Sequence, residues 1–122
     1  MNFNEVSRYR GQFIQAYDDG QVTVMGKIFT ENIIVTATET IEGWTDQPIK
    51  TLDQAAIDRL LGLDVEVLII GTGKQQIFPA PSLFAALANK GIGIEVMTTA
   101  AACRTYNILL SEDRPVATAL LV

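Results

Sequence analysis

The residues 71–74, Gly-Thr-Gly-Lys, have the types best suited to hold a ligand, and they follow directly on the apolar run VEVLII of residues 65–70. A phosphate loop of the Walker type needs the spacing G-x-x-x-x-G-K-[ST], so that consecutive amides surround the phosphates. Here Gln75 replaces the hydroxyl residue, and the upstream glycine spacing is wrong. The dinucleotide pattern G-x-G-x-x-G also fails, because Gln76 stands at its third glycine. The motif predicts a strand-terminating turn that opens a cleft.

A second polar stretch follows a second predicted strand. Thr98 and Thr99 come directly after GIEVM, residues 93–97, at the start of a helix predicted over residues 99–111. If the two strands are parallel, their carboxyl ends bring these threonines beside residues 71–74. Open α/β sheets hold their ligands at that edge. We therefore expect the two stretches to line one cleft.

Two basic residues give this cleft a candidate ligand, a small anion. The first amides of the helix add partial positive charge there, and Lys74 with Arg104 would complete the site. The alternative is that Lys74 is solvated and that Arg104 pairs with a carboxylate, Glu95 or Glu112. The residue types fit both interpretations.

Covalent catalysis finds little support in the composition. The chain has no histidine. This excludes an active site built on a Ser-His-Asp triad or a Cys-His pair, and it excludes every metal site that uses histidine. Its one cysteine, Cys103, shares a helical face with Ala102, Tyr106 and Leu110, which predicts a buried and inert thiol. Asn107 is expected to cap nearby carbonyls or to contact a ligand. We predict no catalytic residue, no metal and no cofactor.

Composition also narrows the class of protein. The 122 residues are 48% hydrophobic and 19% charged, with a net charge of −5, which is typical of a folded acidic domain and argues against nucleic-acid binding. The start of the sequence lacks the pattern of a signal peptide. No stretch approaches the ~18 to 20 apolar residues of a spanning helix. The sequence thus predicts a soluble, cytoplasmic protein that does not span a membrane.

The first third of the chain is predicted to be β-rich. Residues 12–17 and 21–25 flank Asp-Asp-Gly, a hairpin turn signal. Residues 32–38 are rich in β-branched side chains, and residues 40–44 form a weaker strand. Trp44 is expected to be a partly buried anchor.

The rest of the chain alternates helices with strands. Thr51 and Gln54 fit a capping box, and Gly62 fits the left-handed position after a helix. Pro81 suits the first position of the next helix. Residues 116–122 form the closing strand. We expect one α/β domain over residues 1–122, with a β-rich part at about 12–44 and an α/β part at about 51–122, and a parallel pairing of strands 65–70 and 93–97.

Several motifs in combination resemble a known family. They are LIIGTG, a Pro-x-Pro before a helix, GIGIEVM, AACRTYNILLSEDR and VATALL. The chain resembles the domain-of-unknown-function family with the "Mth nine-three-eight" domain, which includes the mitochondrial complex I assembly factor three and adipogenesis-associated proteins. The similarity covers most of the chain and is strongest from Val65 to Leu121. Two positions depart from the family pattern: Thr98 replaces a frequent acid, and Asp113 a common glycine.

The resemblance implies a fold and a class of function. The fold has three layers: a mixed, mostly parallel central sheet with helices on one side and a small β layer on the other. The implied role is a non-catalytic binding or assembly module with a protein partner, linked to respiratory-complex or membrane-protein biogenesis. The alternative is a small-molecule anion binder or enzyme that uses the cleft. The candidate binding residues, from the cleft and from the family pattern, are Gly71, Thr72, Gly73, Lys74, Thr98, Thr99, Arg104, Thr105, Asn107 and Arg114.

Overall fold

The computed structural model describes residues 11–122, which form eight strands and three α-helices. The strands are β1 (Ile14–Asp18), β2 (Gln21–Val24), β3 (Lys27–Phe29), β4 (Ile33–Thr36), β5 (Thr40–Glu42), β6 (Val67–Gly71), β7 (Gly93–Met97) and β8 (Val116–Leu120). The helices are α1 (Gln54–Leu61), α2 (Pro81–Asn89) and α3 (Thr99–Ser111).

A five-stranded mixed sheet forms the centre of the fold, with the order β5-β4-β8-β6-β7. β6 lies parallel to both β7 and β8, while β4 runs antiparallel to β8 and β5. The parallel pairing predicted for strands 65–70 and 93–97 is therefore confirmed, with Gly71 opposite Met97. β1, β2 and β3 form a separate antiparallel sheet, whose first hairpin is the predicted one.

Both faces of the central sheet are covered. On one face, Leu60 of α1 and Leu87 of α2 pack in a cluster with Leu68 and Ile70 of β6. On the other face, Val67 and Ile69 of the same strand pack with α3 and the small sheet. The predicted α/β class, with a mixed sheet and a small β layer, is confirmed. The helices differ from the expected arrangement on one side of the sheet, since α1 and α2 cover one face and α3 lies on the other face with the small β layer.

Local details of the first helix differ from the prediction. Asp53, not Thr51, is the N-cap of α1, and its carboxylate accepts a hydrogen bond of 2.9 Å from the amide of Ala56. Thr51 instead ends a short 3-10 turn, Ile49–Thr51. Gly62 has φ −83° and stays in the right-handed region, because its amide still bonds to helix carbonyls. The prediction of a left-handed Gly62 is wrong.

Two features of the β-rich part were also not predicted. β3 was missed, since its three residues, Lys-Ile-Phe, are too few to show a strand period. Trp44 is an anchor, as predicted, but it is 1% exposed and not partly buried. Its indole N–H donates to the carbonyl of Leu120 at 3.1 Å, and this bond satisfies the polar atom at depth.

Asp113 ends α3 in a backbone conformation that favours glycine. Its φ is +58°. The amide of Asp113 donates to the carbonyl of Leu110, and the amide of Arg114 donates to the carbonyl of Leu109. Side chains other than glycine pay a steric cost in this region. We expect Asp113→Gly to raise the free energy of unfolding by roughly 0.5–1 kcal/mol, measured by guanidinium denaturation. Asp113→Ala removes the same charge without freeing the backbone, so an equal gain in this control would show that charge is the cause.

Candidate functional site

The carboxyl ends of β6 and β7 bring the two predicted polar stretches together. The amide of Thr72 donates to the carbonyl of Met97 at 2.9 Å, and the amide of Thr99 donates to the carbonyl of Gly73 at 2.9 Å. Residues 71–74 thus lie directly against the start of α3. The predicted juxtaposition is present, and it consists of hydrogen bonds between the two stretches.

Thr99 holds three segments of the chain in place. Its side chain is fully buried. The hydroxyl accepts a hydrogen bond of 2.7 Å from the amide of Gly73 and donates one of 2.8 Å to the carbonyl of Leu121. It therefore ties the turn after β6 to the start of α3 and to the end of β8. This is a structural role, found at a residue that the sequence marked as a candidate for binding.

The two neighbouring threonines also bond to the backbone. The hydroxyl of Thr72, a buried residue, donates to the carbonyl of Gln75 and accepts from the amide of Ile77 at 3.0 Å. Thr98 is the N-cap of α3, and its hydroxyl accepts from the amide of Ala101 at 3.3 Å. Both hydroxyls shape the loop and the helix end.

Four backbone amides at this edge already have partners within the protein. The amides of Thr72, Gly73, Thr99 and Ala101 already donate to oxygen atoms of the protein. An anion would need amides that point at it without a partner. Binding through these four amides would have to break their internal bonds first.

Lys74 is on the surface, in an ion pair. Its Nζ lies 2.9 Å from Oδ2 of Asp19, which belongs to the turn between β1 and β2. The hydrogen bond that Nζ donates to this carboxylate, together with the negative charge of Asp19, raises the pKa of Lys74. Both side chains are mostly exposed, so solvent screens the pair. The positive charge of Lys74 is thus directed at Asp19.

The candidates on α3 point in different directions. Arg104 is exposed and Thr105 is half-buried, whereas Asn107 is buried against β1. The amide group of Asn107 donates to the carbonyl of Ile14 at 2.8 Å and accepts from its amide at 2.9 Å. Of the two roles predicted for Asn107, the structure shows the capping of backbone groups.

Arg114 lies away from the other candidates. It is exposed and lies two residues before β8, so it is near the amino ends of the parallel strands. Residues 71–74 are at the carboxyl ends. The structure therefore does not join Arg114 to the cleft, and it lines instead a cavity of about 400 Å³ with Gly11, Leu110 and Asp113.

Cys103 is fully buried, as predicted. Burial raises the pKa of its thiol to about 12, although the charge of Arg104 acts in the opposite direction.

We expect the native protein to react with iodoacetamide at pH 8 at least 100-fold more slowly than the unfolded chain, because the thiolate is the reactive form. The free energy of unfolding should also fall as the pH rises above 9, where only the unfolded thiol ionises. Rapid labelling of one thiol in the folded state would contradict this prediction.

A further cavity was missed by the sequence analysis. It has a volume of about 590 Å³ and lies between the start of β4, the end of β5 and the first turns of α1. Its lining residues come from three separate segments: Thr30, Glu31, Asn32, Gly43, Trp44, Thr45, Asp46, Asp53, Ala55 and Arg59. The guanidinium of Arg59 donates to the carbonyl of Gly43 at 3.0 Å, which closes one wall. Since no local pattern links these segments, the sequence contained no signal for this cavity.

Comparison with known proteins identifies similar chains. The family described as "Protein of unknown function (DUF498/DUF598)" matches residues 14–121. The chain is 36% identical over 70 residues to NADH dehydrogenase (ubiquinone) 1 alpha subcomplex assembly factor 3 of Xenopus tropicalis. This matched stretch covers 57% of this chain and 38% of the frog protein. The chain is 28% identical over 106 residues to a "13 kDa major membrane protein" of Francisella tularensis, with 85% of each chain covered.

A solved structure supports the fold. A Mth938-like domain protein from Bordetella pertussis superimposes with a TM-score of 0.78 at 27% identity, over 99% of this chain and 89% of that one. Within residues 11–122 the structure contains no helix of the length and apolar character needed to cross a bilayer.

Proposed function

We propose that this chain, which belongs to the DUF498/DUF598 family of proteins of unknown function, is a non-catalytic module that binds a protein partner during the assembly of a larger complex. The observation that carries the proposal is its similarity to relatives from frog and mouse that are named as complex I assembly factors. The chain matches only part of their length, 38% of the frog protein and 60% of the mouse protein.

The geometry of the candidate residues favours binding over catalysis. The thiol of Cys103 is buried and its pKa is raised, and the hydroxyls of Thr72 and Thr99 are bonded to the backbone. The same edge exposes apolar side chains to solvent, since Ile77 is 37% and Phe78 is 57% exposed. Exposed aromatic residues are typical of surfaces that bind other proteins.

The partner and the location are finer parts of the proposal. We infer a role in the biogenesis of a respiratory complex or another membrane protein, by analogy with the named assembly factors. We propose the cytoplasm as its location, and the free thiol of its one cysteine is compatible with a reducing compartment. The Francisella relative is named as a major membrane protein. A partner bound to a membrane would explain this name as well as the name "assembly factor" of the frog and mouse relatives.

Affinity purification from the source cells tests the proposal. A tagged chain is crosslinked in intact cells, and soluble and membrane fractions are purified separately and quantified by mass spectrometry. We expect one protein or complex at near-stoichiometric yield, reduced by Phe78→Ala and unchanged by Lys50→Ala, an exposed residue on another part of the surface. Absence of any partner above background in both fractions would overturn the proposal.

A further inference from the structure

β7 is an edge strand of the central sheet, and the direction of its backbone groups can be derived from two hydrogen bonds. The amide of Gly93 donates to the carbonyl of Glu66, and the carbonyl of Met97 accepts from the amide of Thr72. Residues 93 and 97 thus direct their polar groups towards β6. In a parallel pair the direction of the polar groups alternates from residue to residue along the strand. The amides and carbonyls of Ile94 and Val96 therefore point to the side opposite β6, out of the edge of the sheet.

The outer edge of β7 is only partly occupied within residues 11–122. The side-chain amide of Gln76 donates to the carbonyl of Val96 at 2.9 Å. The amide and carbonyl of Ile94 and the amide of Val96 have no hydrogen-bond partner in that range. An edge with unpaired groups is a template for another strand. The bond from Gln76 closes the carboxyl end of this template, and residues 11–122 supply no partner for the rest.

We propose that the outer edge of β7 receives an extended segment of the protein partner, which adds a sixth strand to the central sheet. This inference rests on the proposed function and names the surface that would perform it. Strand addition supplies affinity through main-chain hydrogen bonds, and neighbouring side chains supply specificity. Ile77 and Phe78 follow Gln76, whose side chain is bonded to this edge, and the proposal places them beside the added strand. Their exposed side chains provide the apolar contact.

The charge of this edge identifies the chemistry of the segment. Glu95, in the middle of β7, is exposed. If two copies of the chain paired antiparallel through this strand with Ile94 opposite Val96, Glu95 would lie opposite its own copy, and like charges directly opposite are destabilising. A different chain with lysine or arginine at this place would form an opposite-charge pair. The segment is therefore extended and basic, with an apolar side chain for Phe78.

A displayed library of random seven-residue peptides provides the test. The enriched peptides are resynthesised, and their binding is followed by amide chemical shifts and titration calorimetry. We expect basic peptides with an alternating apolar pattern, and the largest shifts at the amides of Ile94 and Val96. No enrichment, or shifts centred on another surface, would overturn the inference.

Two variants separate strand addition from other contacts. Ile94→Pro deletes an amide that points outwards, a change that edge strands tolerate, and we expect binding at least 10-fold weaker. Ile94→Ala is the matched control, because it shortens the side chain and keeps the amide, and it should bind within threefold of the native chain. Equal loss in both variants would overturn the inference. Thermal unfolding of each variant confirms that it is folded.

Glu95→Lys keeps the test decisive if Ile94→Pro does not fold. Its exposed side chain lies outside the core, so the fold should persist, and affinity for the basic peptides should fall at least 10-fold while glutamate-substituted peptides gain. Unchanged preference would overturn the proposed chemistry. A dimer seen by ultracentrifugation and lost in Ile94→Pro would show that a second copy is the occupant, contrary to the inference.

The edge site and the proposed function can fail separately. If the native chain and Ile94→Pro capture the same cellular partner, the edge site is overturned and the proposed function is kept. If the native chain captures no partner, the proposed function itself is overturned.

Discussion

Replacing Gly71 with alanine is expected to lower the free energy of unfolding by about 2–3 kcal/mol, the upper part of the range for overpacking a core. A Cβ atom at this position would lie 2.9 Å from Cδ2 of Leu120, 2.9 Å from Cα of Thr99 and 3.0 Å from Cβ of Ala102. The leucine side chain can rotate away. The Cα of Thr99 cannot, since the hydrogen bonds of this residue fix the start of α3 against the sheet.

Gly93 provides the matched control for this substitution. It begins β7, the strand adjacent to β6, and a Cβ atom there would meet only the carbonyl of Glu66, at an ordinary distance of 3.5 Å. Gly93→Ala should therefore change stability by less than about 1 kcal/mol. Urea denaturation of both variants measures the difference. Similar losses at the two positions would show that a general preference for glycine in strands, rather than the approach of α3, determines the effect.

The elements that the sequence predicted best are those whose signals are local. α3 was predicted over residues 99–111, and the structure has the helix at Thr99–Ser111. Pro81 begins α2, as the preference of proline for the first helical position indicates. β6 and β7 could be paired as parallel strands because a helix of the right length separates them.

The parts that were predicted less well depend on contacts between distant segments. Asp53 and Thr51 are both good N-caps, and the choice between them depends on where the chain enters α1. The depth of Trp44 depends on its bond to Leu120, 76 residues further along the chain. The position of α3 beside the small sheet depends on which face of β6 the first strands cover.

The candidate site shows the same limit. Glycine and threonine beside the ends of parallel strands are typical of ligand sites, and residues 71–73, 98 and 99 do lie at that edge. Their hydroxyl and amide groups bond equally well to a ligand or to the protein's own backbone. Asn107 has its partner 93 residues away, in β1. Spacing alone contains no information about such a bond, so residue types could not separate a structural role from a binding one.

Asn107→Ala is expected to lower the free energy of unfolding by roughly 2–4 kcal/mol, since each buried backbone group left without a partner costs about 1–3 kcal/mol. The side chain bonds to both the amide and the carbonyl of Ile14, which is 0% exposed. β1 is an edge strand of the small sheet, and Asn107 bonds both backbone groups of Ile14 as a neighbouring strand would. Ser111→Ala is the control on the same helix, because its hydroxyl bonds an exposed carbonyl and should matter little.

Asn107→Asp separates the loss of the donor from the loss of packing. The carboxylate keeps the acceptor for the amide of Ile14 but faces its carbonyl without a proton to donate. Burial raises the pKa of such a carboxyl above its value in the unfolded chain. The variant should therefore be most stable below the unfolded pKa and lose stability as the pH rises through the folded one. The native chain, whose Asn107 does not titrate, should lack this loss. If Asn107 instead served to bind a ligand, both substitutions would leave the unfolding curve unchanged, so a pH series of urea denaturation decides between the two roles.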